Sequence, residues 1–150
     1  MCFLHTLVSV DMKKSLAILL MCFLVASFSY AQEEEQKPLI KSIYFGGGSY
    51  GIDEGQAQDV YEWLEGIENI HMYQINIKSH TDNIGSKSFN QYLSEMRSES
   101  ALRLLKQFPT TLSNISIADY GEQTPDFKND SWEGKQRNRR VDIILLKVNS

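Results

Sequence analysis

The chain has 150 residues, of which 42% are hydrophobic and 23% charged, and its formal net charge at pH 7 is −4. This length and composition suit a single folded domain that can bury a substantial core. The acidic balance argues against general nucleic-acid binding, which needs a basic surface.

The first 31 residues have the pattern of a secretory signal peptide. A pair of lysines precedes an apolar stretch over residues 16–28, and small residues follow that suit cleavage before Gln32. An apolar segment ahead of the lysines is atypical of such a signal, which indicates that translation starts at Met12. The apolar stretch is shorter than the roughly 18 to 20 residues of a membrane-spanning helix. We therefore expect no integral membrane span in the mature chain.

Cleavage at this point would remove Cys2 and Cys22, the two cysteines of the sequence. The mature chain could then form neither a disulfide nor a thiolate metal site. The bulky methionine before Cys22 argues against a lipid-modified cysteine. Residues 32–150 keep 13 basic and 18 acidic side chains, a net charge of −5. We expect a short flexible leader at 32–40 and one domain at 41–150.

Hydrophobic periodicity predicts four strands and two helices along this domain. In chain order these are a strand at 41–45, a helix at 53–68, a strand at 73–78, a helix at 89–108 that Pro109 ends, and strands at 115–120 and 141–148. The order βαβαββ predicts an α+β sandwich, in which the helices pack on one face of a mixed sheet.

A glycine-rich segment follows the first predicted strand. Residues 46–51 satisfy G-x-G-x-x-G between a strand and a helix, the context of a dinucleotide-binding loop. Asp53 and Glu54 then crowd the helix start, where a pyrophosphate needs positive potential. The motif also expects an acidic residue about 20 positions later, whereas Asp82, at the end of the second strand, follows Gly51 by 31 residues. A flexible turn without a cofactor is the preferred interpretation.

Local patterns give little support for catalysis or metal binding. His71 and His80 are nine residues apart, which is no usual metal-ligand spacing, and His80 falls on the polar face of its strand, where we expect it to be solvated. No cysteine nucleophile would survive the predicted cleavage, and the acidic residues Asp53, Glu54 and Asp59 are interpreted as the first turn and exposed side of a helix. The basic cluster at 135–140 is interpreted as a solvated face or a set of structural ion pairs. The chain is predicted to be a non-enzyme without a metal or cofactor.

The segment 81–97 places an acid and a base where strand, turn and helix meet. Asp82 opens a turn sequence that contains a glycine. Asn90 and Arg97 are seven residues apart, which brings them within roughly 20° of each other on one helix face. A ligand that carries both charges is one interpretation. The alternative is structural: Asp82 ends a strand, Asn90 holds a loop and Arg97 pairs with a carboxylate.

At these residues the sequence resembles the OmpA-like family, the domain with which Gram-negative envelope proteins hold peptidoglycan. The family pattern T-D-x-x-G-x-x-x-x-N-x-x-L-S-x-x-R is met in full at 81–97, G-E-x-x-P at 121–125 and N-R-R-V at 138–141. The resemblance covers residues 41–148 and implies the family's βαβαββ fold.

The resemblance implies a ligand, the diaminopimelate of the peptidoglycan stem peptide, whose side-chain end carries an ammonium and a carboxylate. Asp82 would pair with the ammonium and Arg97 with the carboxylate through charge-assisted hydrogen bonds. The ligand-binding residues that the resemblance implies are Asp82, Arg97, Asn90, Thr81, Phe45 and Gly46. The chain departs from the family at 46–48, where three glycines replace an aspartate and further polar side chains.

The resemblance also implies a location and a partner. The partner would be peptidoglycan, in the periplasm or cell envelope of a Gram-negative bacterium, with outer-membrane association as an option. We expect a free-standing wall-binding module that acts alone or recruits another envelope protein. Two alternatives remain open. One is a protein interaction module of the same fold that has lost wall binding and uses the loop at 120–136 or the glycine loop. The other is a peptidoglycan-acting enzyme.

Overall fold

The computed structural model describes residues 37–109, 112 and 114–148, together with Lys14. The chain divides into two units, Met1–Gln36 and Lys37–Ser150. The predicted signal peptide, its cleavage point and the start at Met12 lie outside the described residues. Within the described part of the chain, no helix combines the length and apolarity needed to cross a membrane.

The second unit alternates strands and helices. In chain order its described elements are β1 (Leu39–Tyr44), α1 (Glu54–Glu65), β2 (Tyr73–Ser79), α2 (Lys87–Gln107), β3 (Ile115–Asp119), α3 (Trp132–Asn138) and β4 (Arg140–Lys147), with a 3₁₀ turn at Ile70–Met72 before β2. The predicted elements are confirmed, with bounds that differ by at most three residues. The addition is α3, which lies in the segment predicted as a loop. It was missed because its seven residues carry no apolar stripe.

The four strands form one mixed sheet in the order β1-β4-β2-β3. The central strand β4 runs antiparallel to β1 and β2, whereas β2 and β3 are parallel. Parallel neighbours need a crossover connection, and α2 supplies it. Consequently α2 begins near the carboxyl end of β2, where β1 also ends and β4 begins. These chain ends gather at one edge of the sheet.

The core lies between one face of the sheet and the helices α1 and α2. The sheet contributes the buried side chains of Ile43, Ile75, Ile77, Val141, Ile143 and Leu145, and the helices those of Val60, Leu64, Ala101, Leu104 and Leu105. Alternate residues of β2 and β4 on the other face are half-buried. The predicted packing of the helices on one face of a mixed sheet is confirmed.

The buried face of α2 changes character along its length. After Ser98 its buried side chains are apolar, but between residues 90 and 98 it buries four polar side chains, those of Asn90, Ser94, Arg97 and Ser98. Phe89, which the periodicity placed on the buried stripe, is 46% exposed, so that prediction was wrong. Burying Arg97 and its neighbours needs polar partners from other elements. The polar half of this face therefore marks a candidate site.

Candidate functional site

The site forms where three chain segments meet beyond the strand ends. Phe45 follows β1, residues 80–82 follow β2 and Arg139 precedes β4. The backbone N–H of Phe45 donates to the carbonyl of Arg139 at 2.9 Å, and that of His80 to the carbonyl of Arg140 at 2.9 Å. These bonds extend the sheet past its strands and fix the backbone next to Asp82.

Asp82 is buried, and each oxygen of its carboxylate has a partner. Its Oδ1 accepts a hydrogen bond from the backbone N–H of Ile84 at 3.2 Å, so the predicted Asx-type turn is confirmed. Its Oδ2 pairs with Nη1 of Arg139 at 2.9 Å. This ion pair joins residues 57 positions apart, and no local sequence pattern predicted it.

Arg97 is fully buried beneath the glycine loop, which we define as residues 46–51. Each nitrogen of its guanidinium donates one hydrogen bond to a backbone carbonyl, Nε to Ser49 at 2.9 Å, Nη1 to His80 at 3.0 Å and Nη2 to Gly46 at 3.1 Å. The guanidinium carbon also lies 5.0 Å from the centre of the Phe45 ring. An arginine has five N–H donors, so two of them make no hydrogen bond among the described residues.

The surroundings of Arg97 disfavour its charge on balance. Burial is the main cause and lowers the pKa of Arg97 to about 10, while the nearby charge of Asp82 opposes this shift and that of Arg139 adds to it. Backbone carbonyls therefore solvate a buried cation here. A ligand carboxylate would be a stronger acceptor for the same donors.

Asn90 joins the start of α2 to the acidic side of the site. Its Nδ2 donates to the backbone carbonyl of Asp82 at 3.3 Å and to the carboxylate of Glu122 at 2.5 Å. Its Oδ1 and the hydroxyl of Thr81 are buried without a partner among the residues that the structure describes. Unpaired buried polar atoms cost free energy. These two groups can therefore bind a ligand at little desolvation cost.

The loop before α2 packs closely against Asn90. Gly85 has a φ of +114°, and a Cβ at this position would lie 3.4 Å from Asn90 Oδ1. The family motif places a glycine here because this backbone conformation is strained for other residues.

The glycine loop itself forms a turn, as predicted. The N–H of Ser49 donates to the carbonyl of Gly46 at 3.2 Å, and Gly48 adopts a φ of +69°. A Cβ at Gly47 or Gly48 would meet no atom within 4 Å. The loop therefore covers Arg97 with its carbonyls while its own Cα atoms face open space.

The structure brings all six predicted site residues together. Asp82, Arg97, Asn90 and Thr81 contribute side chains, whereas Phe45 and Gly46 contribute mainly carbonyls. Two partners were missed, namely Arg139 and Glu122. Both lie in family motifs that were identified in the sequence, but local spacing gave them no role.

His80 was expected to be solvated, and this prediction was wrong. It is 5% exposed, because Tyr120 stacks on its ring at 5.2 Å and Thr124 approaches its Nδ1 at 3.4 Å. Burial, aided by the charge of Arg140, lowers the pKa of His80 below its usual 6.5. Within the described ranges, no group of three acidic, histidine or cysteine side chains is arranged to hold a metal ion.

The basic cluster at 135–140 forms ion pairs, one of the two predicted outcomes. Arg140 is buried and pairs with Asp126 and Asp142. Arg137 pairs with Glu133 on the exposed side of α3 at 2.9 Å. Together with the pair between Arg139 and Asp82, these contacts give the cluster a structural role.

The sheet order, the crossover helix and the paired charges at the end of β2 define an OmpA-like α+β domain. The chain belongs to the OmpA family, whose model matches residues 44–139. The predicted family and fold are thus confirmed.

Individual proteins of similar sequence extend this comparison. The chain is 35% identical over 118 residues to the outer-membrane lipoprotein YfiB of Pseudomonas aeruginosa. The aligned region covers 79% of this chain and 70% of that protein. It is 24% identical over 103 residues to the peptidoglycan-associated lipoprotein of Buchnera aphidicola subsp. Baizongia pistaciae, covering 69% of this chain and 60% of that protein.

Among solved structures, the peptidoglycan-associated lipoprotein from Burkholderia pseudomallei superposes with a TM-score of 0.60 at 22% identity. The superposition covers 71% of this chain and 90% of that chain. At this identity the likeness establishes a shared fold.

Proposed function

We propose that the chain binds peptidoglycan noncovalently through the diaminopimelate of the stem peptide, in the cell envelope of a Gram-negative bacterium. Family membership supports this proposal, as do relatives named peptidoglycan-associated lipoprotein and outer-membrane lipoprotein. The observation that carries it is the burial of an acid, Asp82, and a base, Arg97, within electrostatic reach of each other at one sheet edge.

The charge balance of the site favours a zwitterionic ligand. Two carboxylates, those of Asp82 and Glu122, lie with two guanidinium groups, those of Arg97 and Arg139. A purely anionic or cationic ligand would leave an unpaired charge in this buried site, which is costly. The side-chain end of diaminopimelate carries one charge of each sign and keeps the balance at zero.

Each charged group of this ligand has partners in the site. The ammonium would donate to the Asp82 carboxylate and to the unpaired Oδ1 of Asn90. The carboxylate would accept hydrogen bonds from Arg97 and from the hydroxyl of Thr81. A scaffold that holds these groups before the ligand arrives reduces the ordering cost of binding.

A ligand can reach Arg97 only if the glycine loop moves away from it. The carbonyls of Gly46 and Ser49 hold the guanidinium, and a ligand carboxylate would replace them. Bonds from a guanidinium to a carboxylate are stronger than those to a neutral carbonyl. The loop is also free of side-chain packing at Gly47 and Gly48. The three glycines therefore suit a loop that opens for the ligand.

Co-sedimentation with purified diaminopimelate-type sacculi tests the proposal. Wild type should pellet with the sacculi, whereas Asp82→Asn and Arg97→Lys should stay in the supernatant. The matched controls are Asp130→Asn and Arg103→Lys, which change exposed side chains and should pellet like wild type. Circular dichroism verifies that each variant is folded.

Two results would overturn the proposal. A folded wild type that stays in the supernatant excludes wall binding and favours the protein interaction alternative. If Asp82→Asn and Arg97→Lys pellet to the same extent as wild type, peptidoglycan is bound at another part of the chain. The same incubation tests for an enzyme, because we expect no muropeptides to be released from the sacculi.

We further propose that residues 1–31 are removed on export, which leaves a leader that is two residues shorter than the expected 32–40, because β1 already begins at Leu39 and pairs with β4. N-terminal sequencing of the protein from an envelope fraction should begin at Gln32. A sequence that begins at Met1 or Met12 would contradict cleavage.

A further inference from the structure

Trp132, the first residue of α3, is unusually exposed for its size. Its exposed fraction is 70%, the highest of the large apolar side chains in the described part of the chain. A single exposed apolar residue is common and needs no explanation by itself. Trp132 differs because of what lies beneath its ring.

The Trp132 ring is stacked on a residue of the proposed ligand site. The guanidinium carbon of Arg139 lies 5.1 Å from the ring centre. The same guanidinium donates to Oδ2 of Asp82 at 2.9 Å and to the carbonyl of Phe45 at 3.1 Å. A single guanidinium thus separates the indole from the Asp82 carboxylate. Because Arg139 packs against one face of the ring, the opposite face remains for a further contact.

The helix that carries Trp132 is held firmly. The hydroxyl of Ser131 accepts the N–H of Gly134 at 3.0 Å and caps the helix. A Cβ at Gly134 would lie 1.9 Å from the carbonyl oxygen of Lys128, so helix and loop are in close contact. At the other end of the helix, the side-chain amide of Asn138 accepts a hydrogen bond from the backbone N–H of Phe127 and donates one to the carbonyl of Phe127. The helix backbone that carries the indole is therefore held in place.

We propose that Trp132 is a second contact for peptidoglycan, on which a sugar ring of the glycan stacks. This inference rests on the proposed function, because the sugar belongs to the polymer whose diaminopimelate would occupy the site at Asp82 and Arg97. One face of a pyranose ring presents C–H groups, and these pack favourably against the electron-rich face of an indole. The sugar rings are the part of this polymer that offers such a flat, uncharged face.

The spacing within the polymer agrees with this arrangement. Two residues of the stem peptide and the diaminopimelate side chain separate the charged end of the ligand from the sugar, so the extended reach exceeds roughly 7 Å. The indole centre lies 5.1 Å from the carbon of the Arg139 guanidinium, which itself lies 2.9 Å from Asp82 through Nη1, so the extended polymer is long enough to span both contacts. One muropeptide can therefore reach both contacts.

Isothermal titration with two ligands tests the inference. The first is the stem tripeptide that ends in diaminopimelate, and the second is the same tripeptide attached to its disaccharide. We expect wild type to bind the disaccharide form about fivefold more tightly, the contribution of one aromatic stack. Trp132→Ala should remove this difference and leave the affinity for the free tripeptide unchanged. Trp132→Phe, which keeps an aromatic ring, should retain part of the difference.

The outcomes separate this inference from the proposed function. The inference is wrong, while the proposed function stands, if Trp132→Ala retains the full preference for the disaccharide form. The same holds if Trp132→Ala lowers the affinity for both ligands by the same factor. If folded wild type binds neither ligand, both are wrong. Alanine is a strong helix former, so Trp132→Ala should fold. In the Trp63→Phe variant, Trp132 is the remaining tryptophan of the two in the sequence, and its fluorescence should shift with the disaccharide form alone.

Discussion

The ion pair between Asp82 and Arg139 should contribute strongly to stability, and Asp82→Asn tests this. The two side chains are 8% and 5% exposed, and removing one partner of such a buried pair typically costs about 3 to 5 kcal/mol. Arg139 would keep its hydrogen bond to Phe45 and its contact with Trp132. The new amide could still accept the N–H of Ile84. We therefore expect a loss near the lower limit, about 3 kcal/mol.

Urea denaturation followed by circular dichroism measures this loss. A reduction of about 3 kcal/mol should lower the melting temperature of a domain of this size by roughly 10 °C. The control is Asp130→Asn, an exposed position, which should stay within about 0.5 kcal/mol of wild type. A free energy of unfolding for Asp82→Asn within about 1 kcal/mol of wild type would refute the reasoning.

A double-mutant cycle with Arg139→Met makes the test sharper. Each single variant leaves a buried charge unpaired, but the double variant leaves none. The double variant should therefore be more stable than the sum of the two losses predicts, by about 1 to 3 kcal/mol. Additive losses would show that the two charges do not stabilise each other.

Two further predictions concern pH and packing. Burial lowers the pKa of His80 below 6.5. Between this lowered pKa and 6.5, His80 is protonated in the unfolded chain but neutral in the folded chain. The free energy of unfolding should therefore fall as the pH drops through that window. In urea denaturation, His80→Gln should flatten this pH dependence and the exposed control His71→Gln should keep it; an equal slope in His80→Gln and wild type would contradict the assignment. Gly134→Ala should destabilise the domain by about 1 to 3 kcal/mol, because the new Cβ would overlap the carbonyl of Lys128. Gly47→Ala, which meets no atom within 4 Å, should lie within about 0.5 kcal/mol of wild type in thermal melts, and equal losses in the two variants would contradict the packing argument.

The elements of the fold were predictable because each long element buries one periodic apolar face. Val60 and Leu64 on α1 and Ile75 and Ile77 on β2 are buried as their spacing predicts. The short helix α3 was not predictable in this way. It is held by a serine cap and by contacts of Gly134 and its neighbours, which leave no hydrophobic period.

The site was predictable where its chemistry is local and unpredictable where it depends on distant segments. The turn at Asp82 and the shared face of Asn90 and Arg97 follow from spacing within one strand, turn and helix. The pairing of Asp82 with Arg139 depends on β4 lying between β1 and β2, which spacing does not reveal. The same reason explains His80, whose burial depends on a loop 40 or more residues away.

Diaminopimelate differs from lysine by one carboxylate at the end of the side chain, and this difference tests the central claim most directly. The chain should be titrated with stem tripeptides that end in diaminopimelate or in lysine. We predict that the lysine form binds about tenfold or more weakly, because Arg97 loses a charge-assisted hydrogen bond. Equal affinity for the two peptides would show that Arg97 does not recognise the ligand carboxylate and would contradict the zwitterion account.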